Sequence, residues 1–234
     1  ERRLTQRGVK LAFGQGLAGL EDRPEGGVRV QFSGGGSQDC DLAVLCIGTR
    51  ARAELARSAG LEVNRGIVVN DSMASSQPGV YAAGDCAEHL NIQSGQPQAV
   101  GLWANAGRQG DVAGASMAGR AGAYEGSLVH NITHFMDMDF ISLGDKSLGG
   151  DHMGKALKEG VKFALATDLN HGGLWLEALV KDGRPTCINI LDCHEISGMI
   201  KGLLMKQIRG GARTDPFLAE KLRRSGVDEA FIKL

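Results

Sequence analysis

The chain has 234 residues, of which 42% are hydrophobic and 23% charged, the composition of an ordinary soluble globular protein. Its 26 Lys and Arg nearly balance 27 Asp and Glu, so no global field recruits nucleic acid or an anionic surface. No apolar run approaches the roughly 18 residues of a bilayer span, and Glu1-Arg2-Arg3-Leu4 does not open a signal peptide. Five cysteines, an odd number without a C-x-x-C, read as reduced thiols and place the protein in the cytoplasm.

Taken in chain order, Arg3 to Gly8 reads as the end of a helix and Val9–Phe13 as a strand. Gly14-Gln15-Gly16-Leu17-Ala18-Gly19 then spells a complete G-x-G-x-x-G. That motif holds a pyrophosphate only where a helix follows, because the free N–H groups of the helix N-terminus do the binding. Here Pro24 and Gly26-Gly27 interrupt the next residues, and Val28–Phe32 alternates as a strand. Eight residues between Gly19 and Val28 cannot hold a crossover helix, so a β-meander with glycine turns is predicted. Asp39, at the spacing of a ribose-binding acid, reads as a strand-edge residue.

Leu42–Ile47 is a continuous apolar run, the mark of a strand covered on both faces, and it ends at Gly48-Thr49. A short helix over Glu54–Ala59 closes at Gly60. Strands are predicted at Gly66–Asn70 and Gly79–Ala83, the second ending abruptly at Gly84-Asp85. A helix is predicted from about Gln98 to Met117, with Gly101, Gly107, Gly110 and Gly114 at spacings that permit close approach of a sheet or cofactor. Beyond Gly122 the texture changes to strands at 132–143, 161–167, 174–181 and 185–191, with turns at 170–173 and 181–184. Helices over Glu195–Arg209 and Pro216–Arg224, the latter capped by Thr214 or Asp215, complete an α+β pattern. Cys187, Cys193 and His194 match no standard zinc spacing, and Cys187 reads as core filler in a strand, so no metal site is assigned.

Ser75-Ser76-Gln77-Pro78-Gly79-Val80-Tyr81-Ala82-Ala83-Gly84-Asp85 carries the strongest chemical signal. An apolar stretch ends in a glycine that gives a ligand backbone clearance and a carboxylate that accepts from ligand hydroxyls. The stretch resembles the second flavin motif, T-S-x-P-x-I-Y-A-A-G-D, of the FAD-dependent pyridine nucleotide-disulfide oxidoreductases. Leu42–Gly48 followed by Thr49-Arg50-Ala51 resembles that family's apolar strand plus G-x-R-P, with alanine in place of proline. Ala59-Gly60-Leu61-Glu62, Gly66-Ile67-Val68-Val69-Asn70 and the stretch Leu102–Gly110 resemble its A-G-L-E, G-I-V-V-D and flavin-end helix.

The resemblance implies an α/β remnant of FAD/NAD(P)-binding domains plus a C-terminal α+β interface domain. Residues 1–52 would be the tail of the NAD(P)-binding domain, 53–120 the returning half of the FAD domain, and 121–234 an interface or dimerisation domain. It implies that Gly48, Gly84, Asp85, Leu102, Trp103 and Ala104 contact FAD. Asp85 would bond a ribityl hydroxyl, and residues 102–104 would meet the pyrimidine end of the ring. Trp103 reads equally as a buried helix residue, and Cys86 as small core filler. The family's two glycine fingerprints and redox cysteines find no counterpart here, and its H-P-T-x-x-E is absent from residues 121–234, so no catalytic residue is assigned. The chain is accordingly expected to be the C-terminal part of a homodimeric flavoenzyme. That enzyme would take electrons from NAD(P)H to an acceptor, a small molecule or a redox protein. The competing expectation is a non-catalytic dimerisation or partner-docking module with a vestigial flavin half-site.

Overall fold

The computed structural model describes residues 2–149, 163–166, 175–181, 184–192, 194–210 and 216–224. Two compact units are present, Glu1–Thr49 and Arg50–Leu234. Cys193, the turn over 170–173, the middle of the turn at 182–183 and the candidate caps Thr214 and Asp215 lie outside the described residues.

In the first unit a short helix α1 (Arg2–Gln6) precedes three strands, β1 (Leu17–Asp22), β2 (Val28–Phe32) and β3 (Ser37–Cys40). They pair antiparallel in sequence order, the meander read from the glycine turns. Gly27 adopts φ +83° at the first turn, and a side-chain carbon there would lie 2.5 Å from the Cys40 carbonyl oxygen. Only glycine satisfies both constraints. The G-x-G-x-x-G falls inside this meander: Gly16 donates its N–H to Ser33 Oγ at 3.1 Å, and Leu17 and Gly19 belong to β1. Asp39 sits opposite Arg29 on the neighbouring strand and accepts two hydrogen bonds from its guanidinium, at 2.7 and 2.9 Å. That pairing, with Arg23 nearby at 3.3 Å, holds the Asp39 carboxyl below its ordinary pKa.

Two predicted strands of this unit are not formed. Val9–Phe13 runs outside any ladder, since β1 begins four residues later. Leu42–Ile47 is irregular, and its Leu42, Val44 and Ile47 side chains are exposed, Ile47 at 87%. A doubly covered strand takes its order from a strand on each side and helices above and below. None pairs with this run among the described residues.

The second unit opens with α2 (Glu54–Ser58), which terminates through Gly60 at φ +80° as its sequence requires. β4 (Ile67–Val68) pairs parallel with β5 (Ala87–Leu90), which pairs antiparallel with β6 (Pro97–Gln98). The predicted strand over 66–70 is thus trimmed to two residues. Of the strand predicted over Gly79–Ala83, Gly79 is a turn residue at φ +80° and pairing is limited to the Ala74–Tyr81 bridge; the ladder strand is the Ala87–Leu90 segment that follows it. α3 (Trp103–Met117) starts five residues later than predicted, because Pro97-Gln98 is already committed to β6.

Beyond residue 126 a five-stranded antiparallel sheet has the order β7-β8-β11-β10-β9, with β7 (His130–Phe135), β8 (Met138–Gly144), β9 (Phe163–Ala166), β10 (Trp175–Lys181) and β11 (Arg184–Leu191). The single run predicted at 132–143 is a hairpin. Met136 and Asp137 take φ of 47° and 57° and form its two-residue turn. Alternate residues Ile141, Leu143, Ile188 and Ile190 point to one face. There they bury against Ile200, Leu203 and Leu204, the i, i+3, i+4 stripe of α4 (Ser197–Ile208). Each such side chain contributes about 1.5–3 kcal/mol by leaving water. Ala219 of α5 (Pro216–Arg224) joins the same cluster. A second cluster of Val69, Met73, Ala82, Ala87, Ala113 and Tyr124 seats α3 beside β4 and β5.

Candidate functional site

Five of the six residues singled out by sequence gather within the second unit. Gly48, exposed at φ +103°, belongs to the first. Gly84-Asp85-Cys86 forms a single 3-10 turn that packs against α3. Gly84 has φ +83°, a conformation other residues adopt only under strain, and a side-chain carbon there would rest 3.5 Å from the Cβ of Ala106. The same turn points Asp85 at the approach to the helix. A carbon added to Gly101 would sit 3.2 Å from the Asp85 carboxyl carbon. The Asp85 carboxylate is exposed and has no hydrogen-bond partner among the described residues.

The N-terminus of α3 forms the other wall. Leu102 is its N-cap, with extended backbone and no side-chain cap, and the first turn carries no acidic residue. Its leading N–H groups therefore keep their partial positive charge for an external acceptor. Trp103 is 94% exposed, which excludes the reading as a buried helix residue, and Ala104 is exposed beside it.

The inward stripe of α3 is Asn105, Gln109 and Ala113. Two amides on a buried helix face are unusual, since polar groups leave water at a cost unless bonded. Gln109 meets that cost by accepting the Gly84 N–H at 2.7 Å. Asn105 does not: its Nδ2 is buried and has no acceptor among the described residues. In sequence the two are only polar side chains at i and i+4 of one helix face, and it is the structure that turns this face inward. Gly107, Gly110 and Gly114 lie on exposed positions, where an added methyl would meet nothing within 4 Å.

Nearby side chains are less suited to chemistry. Cys86 is half-buried and donates its thiol to the Ala83 carbonyl at 3.5 Å. Cys187 is 1% exposed in β11, and burial pushes its thiol up, as befits core filler. His130 donates Nδ1–H to the Leu128 carbonyl, which leaves Nε2 to accept from the Lys201 ammonium at 3.5 Å. Burial lowers the pKa of both, and the charge of Arg108 lowers that of Lys201 further. His89 was not singled out by sequence. Buried in β5, it pairs Nε2 with Asp71 at 3.0 Å, lies edge-on to Tyr124 and borders a cleft of about 580 Å³. Among the described residues no three His, Cys, Asp or Glu side chains are grouped to hold a metal ion, and no helix is long and apolar enough to cross a membrane.

Against known proteins, residues 1–110 match the model of the family described as pyridine nucleotide-disulphide oxidoreductase. The nitric oxide reductase FlRd-NAD(+) reductase of Aeromonas hydrophila is 42% identical over 88 residues, 38% of this chain and 23% of that protein. The chlorobenzene dioxygenase ferredoxin reductase component of a Cupriavidus species is 36% identical over 122 residues, 51% of this chain and 29% of that one. The chain thus spans less than a third of the length of either reductase. The structure of an NAD-dependent persulfide reductase from A. fulgidus superposes with a TM-score of 0.73 at 22% identity, over 96% of this chain and 41% of that chain, and shows a shared fold. Residues 1–110, just under half of the chain, are thus similar to the pyridine nucleotide-disulphide oxidoreductase family.

Proposed function

We propose that this chain supplies the flavin-facing, returning half of an FAD-dependent oxidoreductase that passes electrons from NAD(P)H to a redox-protein acceptor of the ferredoxin or rubredoxin kind. The observation that carries this reading is the convergence of the unpaired Asp85 carboxylate with the uncapped N-terminus of α3. A flavin presents hydroxyl donors on its side chain and carbonyl acceptors on its ring. The residues present match both: Asp85 as acceptor, the first-turn N–H groups of Trp103 and Ala104 and the unspent Asn105 Nδ2 as donors, while the Leu102 N–H is already given to the Val100 carbonyl at 3.0 Å. Gly84 leaves the backbone bare for that approach. When bound, FAD would accept hydride from the nicotinamide and release electrons singly.

The chain's own residues act by position and field. Asp85 anchors a hydroxyl and fixes the register of the ligand along the turn. The helix N-terminus favours negative charge at the end of the ring facing it, which raises the stability of a reduced, anionic flavin. The acceptor assignment rests on the names of the relatives, among them an FlRd-NAD(+) reductase and the ferredoxin reductase component of a dioxygenase. Gly48, in the first unit, is proposed as a further flavin neighbour on its motif alone.

Titration of the 234-residue chain with FAD, followed by amide shifts and Trp103 fluorescence, tests the reading. A hydrogen bond to a charged acceptor is worth about 1.5–3 kcal/mol. Asp85→Ala is therefore expected to weaken FAD binding by roughly one to two orders of magnitude. Equal affinity in wild type and Asp85→Ala would overturn the site.

A further inference from the structure

The buried amide of Gln109 lies within the stretch that resembles the family's flavin-end helix, was given no role there, and is not explained by packing. It is 2% exposed, on a helix face where Ala113 shows that an apolar residue is suited. An uncharged hydrocarbon of the same length would fill the space without the desolvation of an amide. What the amide adds is one acceptor: Oε1 receives the Gly84 N–H at 2.7 Å.

That N–H has no ladder to serve. It belongs to a left-handed glycine at the head of an isolated 3-10 turn. Glycine in such a place is free to relax into other conformations unless something holds it. The turn meets α3 and its approach at three points: Asp85 beside Gly101, Gly84 beside Ala106, and Gly84 N–H on Gln109. The first two are contacts that a small shift would relieve. The third is directional, and it fixes the peptide plane from which Asp85 departs.

We infer that Gln109 is a positioning residue. Its side-chain carbonyl locks the Gly84 peptide so that the Asp85 carboxylate is held at the mouth of the α3 N-terminus, ready for a ligand hydroxyl. The inference rests on the flavin reading above for the identity of the ligand. It adds a residue that touches no ligand and acts through Gly84.

Two variants separate positioning from bulk. Gln109→Met keeps length and removes the acceptor; Gln109→Glu keeps an acceptor oxygen. Amide exchange of the intact chain, read residue by residue by NMR, reports the Gly84 hydrogen bond without any ligand. Loss of one neutral hydrogen bond shifts the equilibrium it governs about tenfold. Gly84 exchange is expected to quicken by about that factor in Gln109→Met and to return toward wild type in Gln109→Glu. Exchange within β10 and β11 should be unchanged. FAD affinity, measured at millimolar FAD, should fall about tenfold in Gln109→Met and recover in Gln109→Glu.

A purely structural role would lower the melting temperature of the variants while FAD affinity of the folded chain stayed constant, and that result overturns the inference. Unchanged Gly84 exchange in Gln109→Met overturns it as well. If wild type and Asp85→Ala bind FAD alike while Gly84 exchange still depends on Gln109, the flavin reading has failed. The positioning role falls with it, and the intact hydrogen bond identifies the cause.

Discussion

α3 carries three glycines, Gly107, Gly110 and Gly114, on its exposed side, and each is a place where this helix loses stability. Glycine inside a helix costs about 0.8–1.0 kcal/mol relative to alanine, because its backbone gives up more freedom on folding. The penalty is recoverable only if the added methyl has room. At all three positions it meets no atom within 4 Å outside the local helix backbone. None of the three takes a positive φ. The triple variant Gly107→Ala, Gly110→Ala, Gly114→Ala is therefore expected to stabilise the second unit by about 2–3 kcal/mol. For a unit of this size that is a rise of roughly 5–10 °C in melting temperature, read by circular dichroism at 222 nm and by calorimetry. Helical content should not fall. A melting temperature unchanged or lowered would refute the reasoning, since it would mean that this face of α3 is covered by other atoms in solution. In that event the glycines serve close approach, as their spacing suggested from sequence.

The remaining predictions separate the decoy motif from the site and test one electrostatic clamp. Gly16→Ala places a carbon 2.6 Å from Ser33 Oγ and disturbs the hydrogen bond that Gly16 N–H donates to it. It should cost about 1 kcal/mol in urea unfolding of the first unit and leave FAD affinity unchanged; reduced FAD binding would reinstate the fingerprint reading. Asp139 on β8 accepts from His134 at 2.7 Å and from His194 at 3.1 Å, and chiefly the His134 bond holds its carboxyl below the ordinary range. A depressed folded pKa contributes stability that is complete above the unfolded value, about 3.9, and is lost as pH falls through the folded value. The stability difference between wild type and Asp139→Asn should accordingly be present near pH 5, where both histidines are protonated, and shrink on acidification below about pH 4. A difference that grows in acid would refute the assignment.

How much of this was legible in sequence depended on whether the deciding interaction is local. The stop of α2 at Gly60, the glycine-turned meander and the Gly84-Asp85 turn are set within a few residues, and each was read correctly. The strand at Leu42–Ile47 was not, because an apolar run states only that it can be covered, not that neighbours exist to cover it. β5 escaped notice because Ala87-Glu88-His89 are buried in succession, two of them polar, so no alternation announces a strand. Glu88 is tolerated there by accepting the Gly66 N–H at 2.8 Å, and His89 by Asp71. The hairpin at Met136-Asp137 carries none of the Asn-Gly or Asp-Gly pairs that mark a two-residue turn. In the candidate site the motif residues were visible and their support was not. Asn105 and Gln109 would default to a solvated face in any reading of a helix by polarity alone.

The two sides of α3 can be understood as answers to one demand, the placement of its N-terminus. On the inner side, an all-apolar stripe would have packed the helix more cheaply but left it free to slide or roll against a featureless wall. The Gln109 amide pins it to Gly84 at one point, and Asn105 keeps a donor buried within the first turn. On the outer side, the glycines forgo helix stability and leave the backbone bare along the stripe between Trp103 and Met117, both exposed. A helix selected for stability would have neither feature. Their joint presence, at the end where Asp85 stands unpaired, is what a helix looks like when the position of its first turn matters more than its own folding free energy.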